Sequence, residues 1–368
     1  MTARSQLFDI TRALIDIPSV SEDETVLLDH VKESLPTSFH AVYDEDSVAL
    51  FAQEPKRSID VLLVGHTDTV PIADNVPAVV SNNVSAGREL VGRGASDMKG
   101  GLAVMLCLAK ALDSSELQSQ INVGLLFFGR EELPATRSAL VPALKNCTSL
   151  QSAGFAILLE PTTNSVELGC QGNLNIDVSF NGLAAHSARP WLGDNAIHKA
   201  IGALAEIASA SPNDVDIDGL VYREVASVTN ISGGHARNVI PDNAKAQINV
   251  RYSPSLSASK AADIWTQRFA DSGATITVAG NAPGALPNRQ HQGVQMLIAL
   301  SNQDPTPKQA WTNVADFAAI GVPAVNFGPG DPALAHCDNE AISENALIAN
   351  FDVLSTFLAK YAPPDKTK

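Results

Sequence analysis

The sequence predicts an α/β fold: a mostly parallel central sheet flanked by helices, with an α+β domain inserted into it. Three observations lead there. Short apolar runs bounded by turn or charged residues recur at Asp60–Gly65, Val123–Phe128 and Phe155–Leu159, and runs without polar alternation suit strands covered on both faces. Between the first two lies Gly100–Leu112, a helical stretch with no internal breaker, which gives the β/α alternation of a layered α/β domain. From Gly172 the pattern changes, and Leu174, Ile176, Val178 and Phe180 alternate with polar residues, as in a strand with one wet face.

Taken in order, Leu7, Ile10, Leu14 and Ile17 recur at helical spacing until Pro18 ends the pattern. Ser21 followed by Glu22–Asp23–Glu24 reads as an N-cap and acidic first turn for a second helix through Leu35. The inserted segment reads as strand Leu174–Phe180, helix Asn195–Ala210, strands near Val225–Ile231 and Ala244–Tyr252, helix Ser257–Phe269 and strand Thr275–Ala279. That β-α-β-β-α-β order is a split βαβ, ferredoxin-like arrangement. The Pro/Gly-rich stretch Asn281–Asn288 leads back to a strand near Pro323–Phe327 and a helix from Ser343 to Tyr361, with Lys360–Lys368 as a frayed tail. The expected domains are therefore 1–172 with 286–368, interrupted by 173–285.

Composition narrows the function classes. At 45% hydrophobic and 18% charged residues the chain is not of the disordered class, and its 368 residues suffice for two domains. No apolar run reaches the ~18 residues of a membrane helix, and Asp9, Arg12 and Asp16 interrupt any signal-peptide core. A net charge of −15 without a basic run argues against nucleic acid. Cys107, Cys147, Cys170 and Cys337 are too scattered for a disulfide framework or a Cys-x-x-Cys metal site. A cytoplasmic protein with free thiols is the expectation.

Ligand sites of open α/β sheets lie beyond the carboxyl ends of the strands. There the sequence places His66 and Asp68 after the first strand, Glu131–Glu132 after the second, and Glu160 after the third. Positions 66 and 68 share a face in extended backbone. Asp97, in Gly92-Arg93-Gly94-Ala95-Ser96-Asp97-Met98-Lys99-Gly100-Gly101, sits at the mouth of the Gly100–Leu112 helix, where a dipole favours negative charge and a plain N-cap is the alternative. The same element matches only part of a dinucleotide fingerprint, since Asp97 stands at the third glycine position, so a nicotinamide-dependent dehydrogenase rests on Gly92–Gly94 alone. His336 follows the Gly328–Pro332 loop, which can return it to the same rim. Singly, each of these is an ordinary loop or surface charge. Together the carboxylates would repel unless a cation or proton intervened, and His/Asp/Glu donors without thiolate suit a divalent metal in a hydrolase.

At these residues the chain resembles the co-catalytic dizinc amidohydrolase and metallopeptidase family of aminoacylases, acetylornithine deacetylase and succinyl-diaminopimelate desuccinylase. The resemblance covers essentially the whole chain. Gly169–Asn173, His186–Arg189, Trp191–Ala196 and Val325–Pro332 resemble its actinobacterial-type desuccinylase subgroup. It implies a dizinc peptidase-like catalytic domain with an inserted lid and dimerisation domain. It implies one zinc on His66, Asp97 and Glu160 and a second on the bridging Asp97, Glu132 and His336, possible partner ions being Co2+ or Mn2+. Glu131 would be the general base, Asp68 would orient His66, and His186 would polarise the substrate carbonyl in a neighbouring subunit of a homodimer. Arg189, Asn238 and Arg251 are candidates for substrate carboxylates, with internal pairing an equal reading for Arg251. The implied reaction is hydrolysis of an N-acyl amino acid, N-succinyl-LL-2,6-diaminopimelate first, with a related deacylase or dipeptidase, or a non-catalytic binding homologue, as alternatives. Asp316 stands where the subgroup pattern leads one to expect arginine, and His336-Cys337-Asp338-Asn339-Glu340 lacks the expected basic residues.

Overall fold

A computed structural model describes residues 2–83 and 87–363. The chain divides into two compact units, the first being Met1–Leu168, Asn288–Thr306 and Asp316–Lys368, the second Gly169–Pro287 with Pro307–Ala315. The segment 307–315 thus groups with the inserted part rather than with the flanking chain, which differs from the boundaries read from sequence.

The first unit is built on an eight-stranded sheet in the order His40–Glu45, Val48–Ala52, Val123–Phe128, Val61–His66, Ala156–Leu158, Ala324–Asn326, Glu167–Leu168, Thr306–Pro307. The pairings among Val123–Phe128, Val61–His66, Ala156–Leu158 and Ala324–Asn326 are parallel. Beside them Val48–Ala52 and Glu167–Leu168 pair antiparallel, so the sheet is mixed, with a parallel centre. The two fully apolar runs explain that centre, because every residue of Val61–His66 and Val123–Phe128 is buried. A smaller sheet, Ala341–Ser343, Gly87–Val91 and Val79–Asn83, has no counterpart in the sequence reading.

The helix Gly100–Asp113 lies against this centre and is buried nearly all round. Its close approach depends on missing side chains. A Cβ on Gly65 would come within 2.7 Å of Leu102 Cδ2, and one on Gly101 within 2.6 Å of the Leu159 carbonyl oxygen. The helix Glu344–Lys360 closes the unit, with Leu347, Leu354, Phe357 and Leu358 wholly buried. Tyr361, placed in the expected tail, is instead buried and stacked on Phe357; residues 364–368 of that tail lie outside the described residues.

Ser21 does not cap the second helix. That helix runs Thr25–Ser34 from Glu24, without a side-chain cap, and the serine hydroxyl is used elsewhere, as described below.

The second unit carries a five-stranded antiparallel sheet, Asn213–Ile217, Leu220–Gly233, Asn243–Tyr252, Gly172–Asn181 and Thr275–Ala282. The last four, with helices Ala196–Ser209 and Ala258–Arg268, have the strand order of the split βαβ fold. The extra edge strand and the greater length of Leu220–Gly233 were not legible. Phe180, Ile248, Val250, Leu204 and Ala261 form its core with the two helices. Among the described residues no helix is long and apolar enough to cross a membrane.

Candidate metal centre

The parallel strands of the first unit deliver their last residues to one rim. His66 ends its strand with its ring buried, Nδ1 at 2.9 Å from the Asp68 carbonyl oxygen and Nε2 at 2.9 Å from Asp97 Oδ1. The Asp68 carboxylate is 3.6 Å from Nδ1, so the contact that fixes the ring is the main-chain carbonyl. The carboxylate itself accepts the Glu131 and Glu132 amides at 3.0 and 3.1 Å and the Ser21 hydroxyl at 2.7 Å. This redirects the role expected of Asp68: its side chain holds the Glu131–Glu132 turn, and its backbone orients His66.

Asp97 does not cap the helix that follows; Lys99 occupies that position, and Asp97 lies in an irregular turn with φ −121° and ψ 95°. The turn carries its carboxylate between two imidazoles. Oδ1 faces His66, and Oδ2 lies 3.5 Å from His336 Nε2. His336, at a left-handed φ of 65°, also places Nε2 at 3.0 Å from Glu132 Oε1. Ligand atoms of His66, Asp97 and Glu132 all lie within 4.8 Å of one another. Glu160 is buried at the end of the third strand, within electrostatic reach of His66 and Glu131.

The charges are strongly perturbed. Burial opposes a charge on His66, but Asp97 hydrogen-bonded to it, with Glu160 and Glu131 nearby, raises its pKa well above the usual value. Hydrogen bonds to Asp97 and Glu132 push His336 up to about 10. Burial would raise Asp97, yet His336 and His66 hold it well below the usual carboxylate range. Glu131 moves the other way, pushed well up by burial and by the charges of Glu160, Glu132 and Asp97. Protons on the two imidazoles thus stand where cations would serve the same carboxylates. The donor set is oxygen and imidazole nitrogen without thiolate, it has each Asp97 oxygen facing a different histidine, and it fits a pair of divalent ions.

The remaining candidates lie in the second unit. His186 is exposed in a two-residue bridge, Ala185–His186 with Val239–Ile240. Its Nδ1 accepts the Ala188 amide at 3.0 Å, which in the neutral ring puts the proton on Nε2 and leaves that nitrogen a donor. The Ser187 amide bonds to the Asn238 carbonyl and the Arg189 amide to the His186 carbonyl, so His186, Arg189 and Asn238 share one stretch of surface. Arg251 lies on the sheet instead. Its Nε donates to Asn249 Oδ1 at 3.1 Å, and Asn249 in turn donates to Asn173 and Asn175, so the internal pairing considered for it is formed.

Sequence reasoning missed Ser21 and the buried Arg93 and Glu340 as parts of this centre. Ser21 lies 47 positions from its acceptor, and Glu340 lies 243 from the Asp97 amide, separations that leave no local signal.

The chain is similar to known proteins in both sequence and fold. A profile of the peptidase family M20/M25/M40 matches residues 62–360. The chain is 39% identical over 358 residues to a putative succinyl-diaminopimelate desuccinylase of Mycobacterium tuberculosis, covering 96% of this chain and 98% of the relative. It is 36% identical over 352 residues to a succinyl-diaminopimelate desuccinylase of Corynebacterium glutamicum, covering 92% and 94%. In structure it is similar to a tripeptidase of Staphylococcus aureus, with a TM-score of 0.78 at 17% identity over 97% of this chain and 98% of that one. It is also similar to an M20 family metallo-carboxypeptidase of Sulfolobus solfataricus, with a TM-score of 0.74 at 19% identity over 96% and 98%. These likenesses in sequence and fold place the chain in the peptidase family M20/M25/M40.

Proposed function

We propose that the protein is a metal-dependent amidohydrolase that cleaves N-succinyl-LL-2,6-diaminopimelate to succinate and LL-2,6-diaminopimelate, a step of lysine biosynthesis. The observation that carries the substrate is the full-length likeness to relatives named for that reaction, 39% and 36% identical. In this reading His66, Asp97 and Glu160 hold one ion, and Asp97, Glu132 and His336 hold the other. The ions are two Zn2+, or Zn2+ with Co2+ or Mn2+. When bound, they supply a Lewis acid for the amide carbonyl and make water acidic near neutral pH.

The chain's own groups do the rest. Glu131, held by the Asp68 carboxylate at its amide, takes a proton from the attacking water and delivers it to the leaving amine nitrogen. His186, with its proton on Nε2, donates to the carbonyl oxygen as charge develops there. Arg189 and Asn238 meet the substrate carboxylates, while Arg251 stays with Asn249. The second unit (173–285 in the sequence reading) serves as lid and dimerisation domain of a cytoplasmic homodimer, in which His186 acts on the other subunit's substrate.

The test is turnover of succinyl-diaminopimelate, N-acetylornithine and simple dipeptides by protein reconstituted with Zn2+, Co2+ or Mn2+, together with metal analysis. Succinyl-diaminopimelate is expected to be the best substrate. Negligible turnover of it beside good turnover of another would remove the substrate assignment, and a metal stoichiometry near zero would remove the centre. An active monomer in sedimentation would end the intersubunit role of His186.

A further inference from the structure

Asp97 needs an external support, because the turn that carries it, residues 95–99, is not regular structure at Asp97 or Met98. That support is one carboxylate. Glu340 Oε1 accepts the amides of Ser96 and Asp97 at 3.0 and 2.9 Å, and Oε2 accepts the Gly94 amide at 2.9 Å and Arg93 Nη1 at 3.0 Å. The Arg93 guanidinium extends the network. Its Nη1 also donates to the Cys337 carbonyl at 3.1 Å, beside His336, and its Nε to the Pro71 carbonyl at 3.0 Å, in the segment that follows His66 and Asp68. Both side chains are almost wholly buried.

Three segments bearing candidate ligands, 66–71, 93–97 and 336–340, therefore meet at one buried ion pair. We propose that Arg93 and Glu340 are positioning residues for the metal centre, setting Asp97 and His336 at the separation that two ions require; the proposal rests on the dinuclear reading above. A buried carboxylate with four donors is a rigid anchor, and removing one partner of such a pair strands the other. The acidic residue four places after His336 is thus occupied inside the protein and does not face substrate.

The test compares Glu340→Gln, Glu340→Ala and Arg93→Lys with Leu354→Ala, a buried core truncation in the helix Glu344–Lys360. Three quantities are measured on the full chain: the dissociation constants for Zn2+ and Co2+ against a chromophoric chelator, the visible spectrum of the Co2+-loaded protein, and the Tm of the metal-free protein. In Glu340→Gln the amide NH2 faces two donors, so one pair of N–H groups loses its acceptor. Metal affinity should fall about 10- to 100-fold, as for other groups that orient metal ligands, with a changed Co2+ band. Arg93→Lys keeps the charge but not the fork, and should lose less. Leu354→Ala should lower the Tm and leave affinity and spectrum as in the wild type. If Glu340→Ala does not fold, the Gln and Lys variants decide. Variants that lose Tm yet bind metal like the wild type would overturn the proposal, reducing the pair to scaffold. A wild-type protein that binds no divalent ion would overturn both this proposal and the dinuclear reading, whereas equal tight binding by wild type and variants would overturn this one alone.

Discussion

In the first unit His66, Asp68, Arg93 and Glu340 are all nearly sealed from solvent, and their polar atoms meet backbone amides, carbonyls or one another. In the second unit His186, on a two-residue bridge, and Arg189 and Asn238 beside it are exposed, near Trp191 at 75% and Leu192 at 59% exposure. The first region is tightly held: the His66 ring is contacted at both nitrogens, and the Asp97 turn is fixed through its own amide and that of Ser96. The second is held by a few main-chain hydrogen bonds and keeps its side chains in water. Preorganisation belongs where charge must be placed to a fraction of an ångström. An adjustable surface suits groups that meet a substrate or a second copy of the chain.

Substitutions can break that contrast. The largest effect is expected from Glu131→Gln, which should lower kcat about 10²- to 10⁴-fold while metal content stays unchanged; equal turnover by the variant would remove Glu131 as the base. Leu63→Ala, in the wholly buried central strand, should cost about 2–5 kcal/mol in denaturant unfolding. Trp191→Ala should stay within about 0.5 kcal/mol of the wild type, and similar losses for both would erase the distinction between the two regions. His186→Ala should reduce kcat about 10²- to 10³-fold with the metal stoichiometry and Tm of the wild type.

A further test concerns pH. His336 is raised to about 10 in the metal-free protein by Asp97 and Glu132, so below that pH a cation must displace its proton. That proton also stabilises the metal-free fold, fully below the ordinary histidine pKa and progressively less as pH rises toward 10. Zn2+ affinity should therefore rise with pH, about tenfold per unit for each proton displaced, and level off near 10. Calorimetry in buffers of different ionisation enthalpy would detect the proton release, and its absence at neutral pH would contradict the charge state assigned to His336.

Much of the parallel centre was legible because Val123–Phe128 and Asp60–Gly65 have no polar interruption, and burial on both faces leaves no other use for such runs. His66 and Glu160 stand out for the same reason, since a His or Glu at or just after a sealed strand is conspicuous. The hairpin His40–Glu45 with Val48–Ala52 escaped notice because its first strand is largely polar and its turn, Asp46–Ser47, takes left-handed φ values of 48° and 61° without a glycine. Ser21 was misread for an instructive reason. Its local context is that of an N-cap, yet its hydroxyl finds a better acceptor in Asp68 across the fold. Local propensity has no access to that competition, nor to Glu340, whose partners exist only after the 93–97 and 336–340 segments have met.

Gly101 bears on how this protein can change over time. Alanine there would favour the helix intrinsically, by about 1 kcal/mol, yet its methyl group would press on the carbonyl just before Glu160. The helix begins two residues after Met98 and touches the segment leading to Glu160, so the gap between the Asp97 and Glu160 loops is gauged by a single hydrogen atom. A substitution that any helix scale would rank as an improvement becomes, at this one position, a change of tolerance between two candidate ligands. Helix propensity and tertiary packing pull in opposite directions there, and the backbone contact makes packing the stronger term.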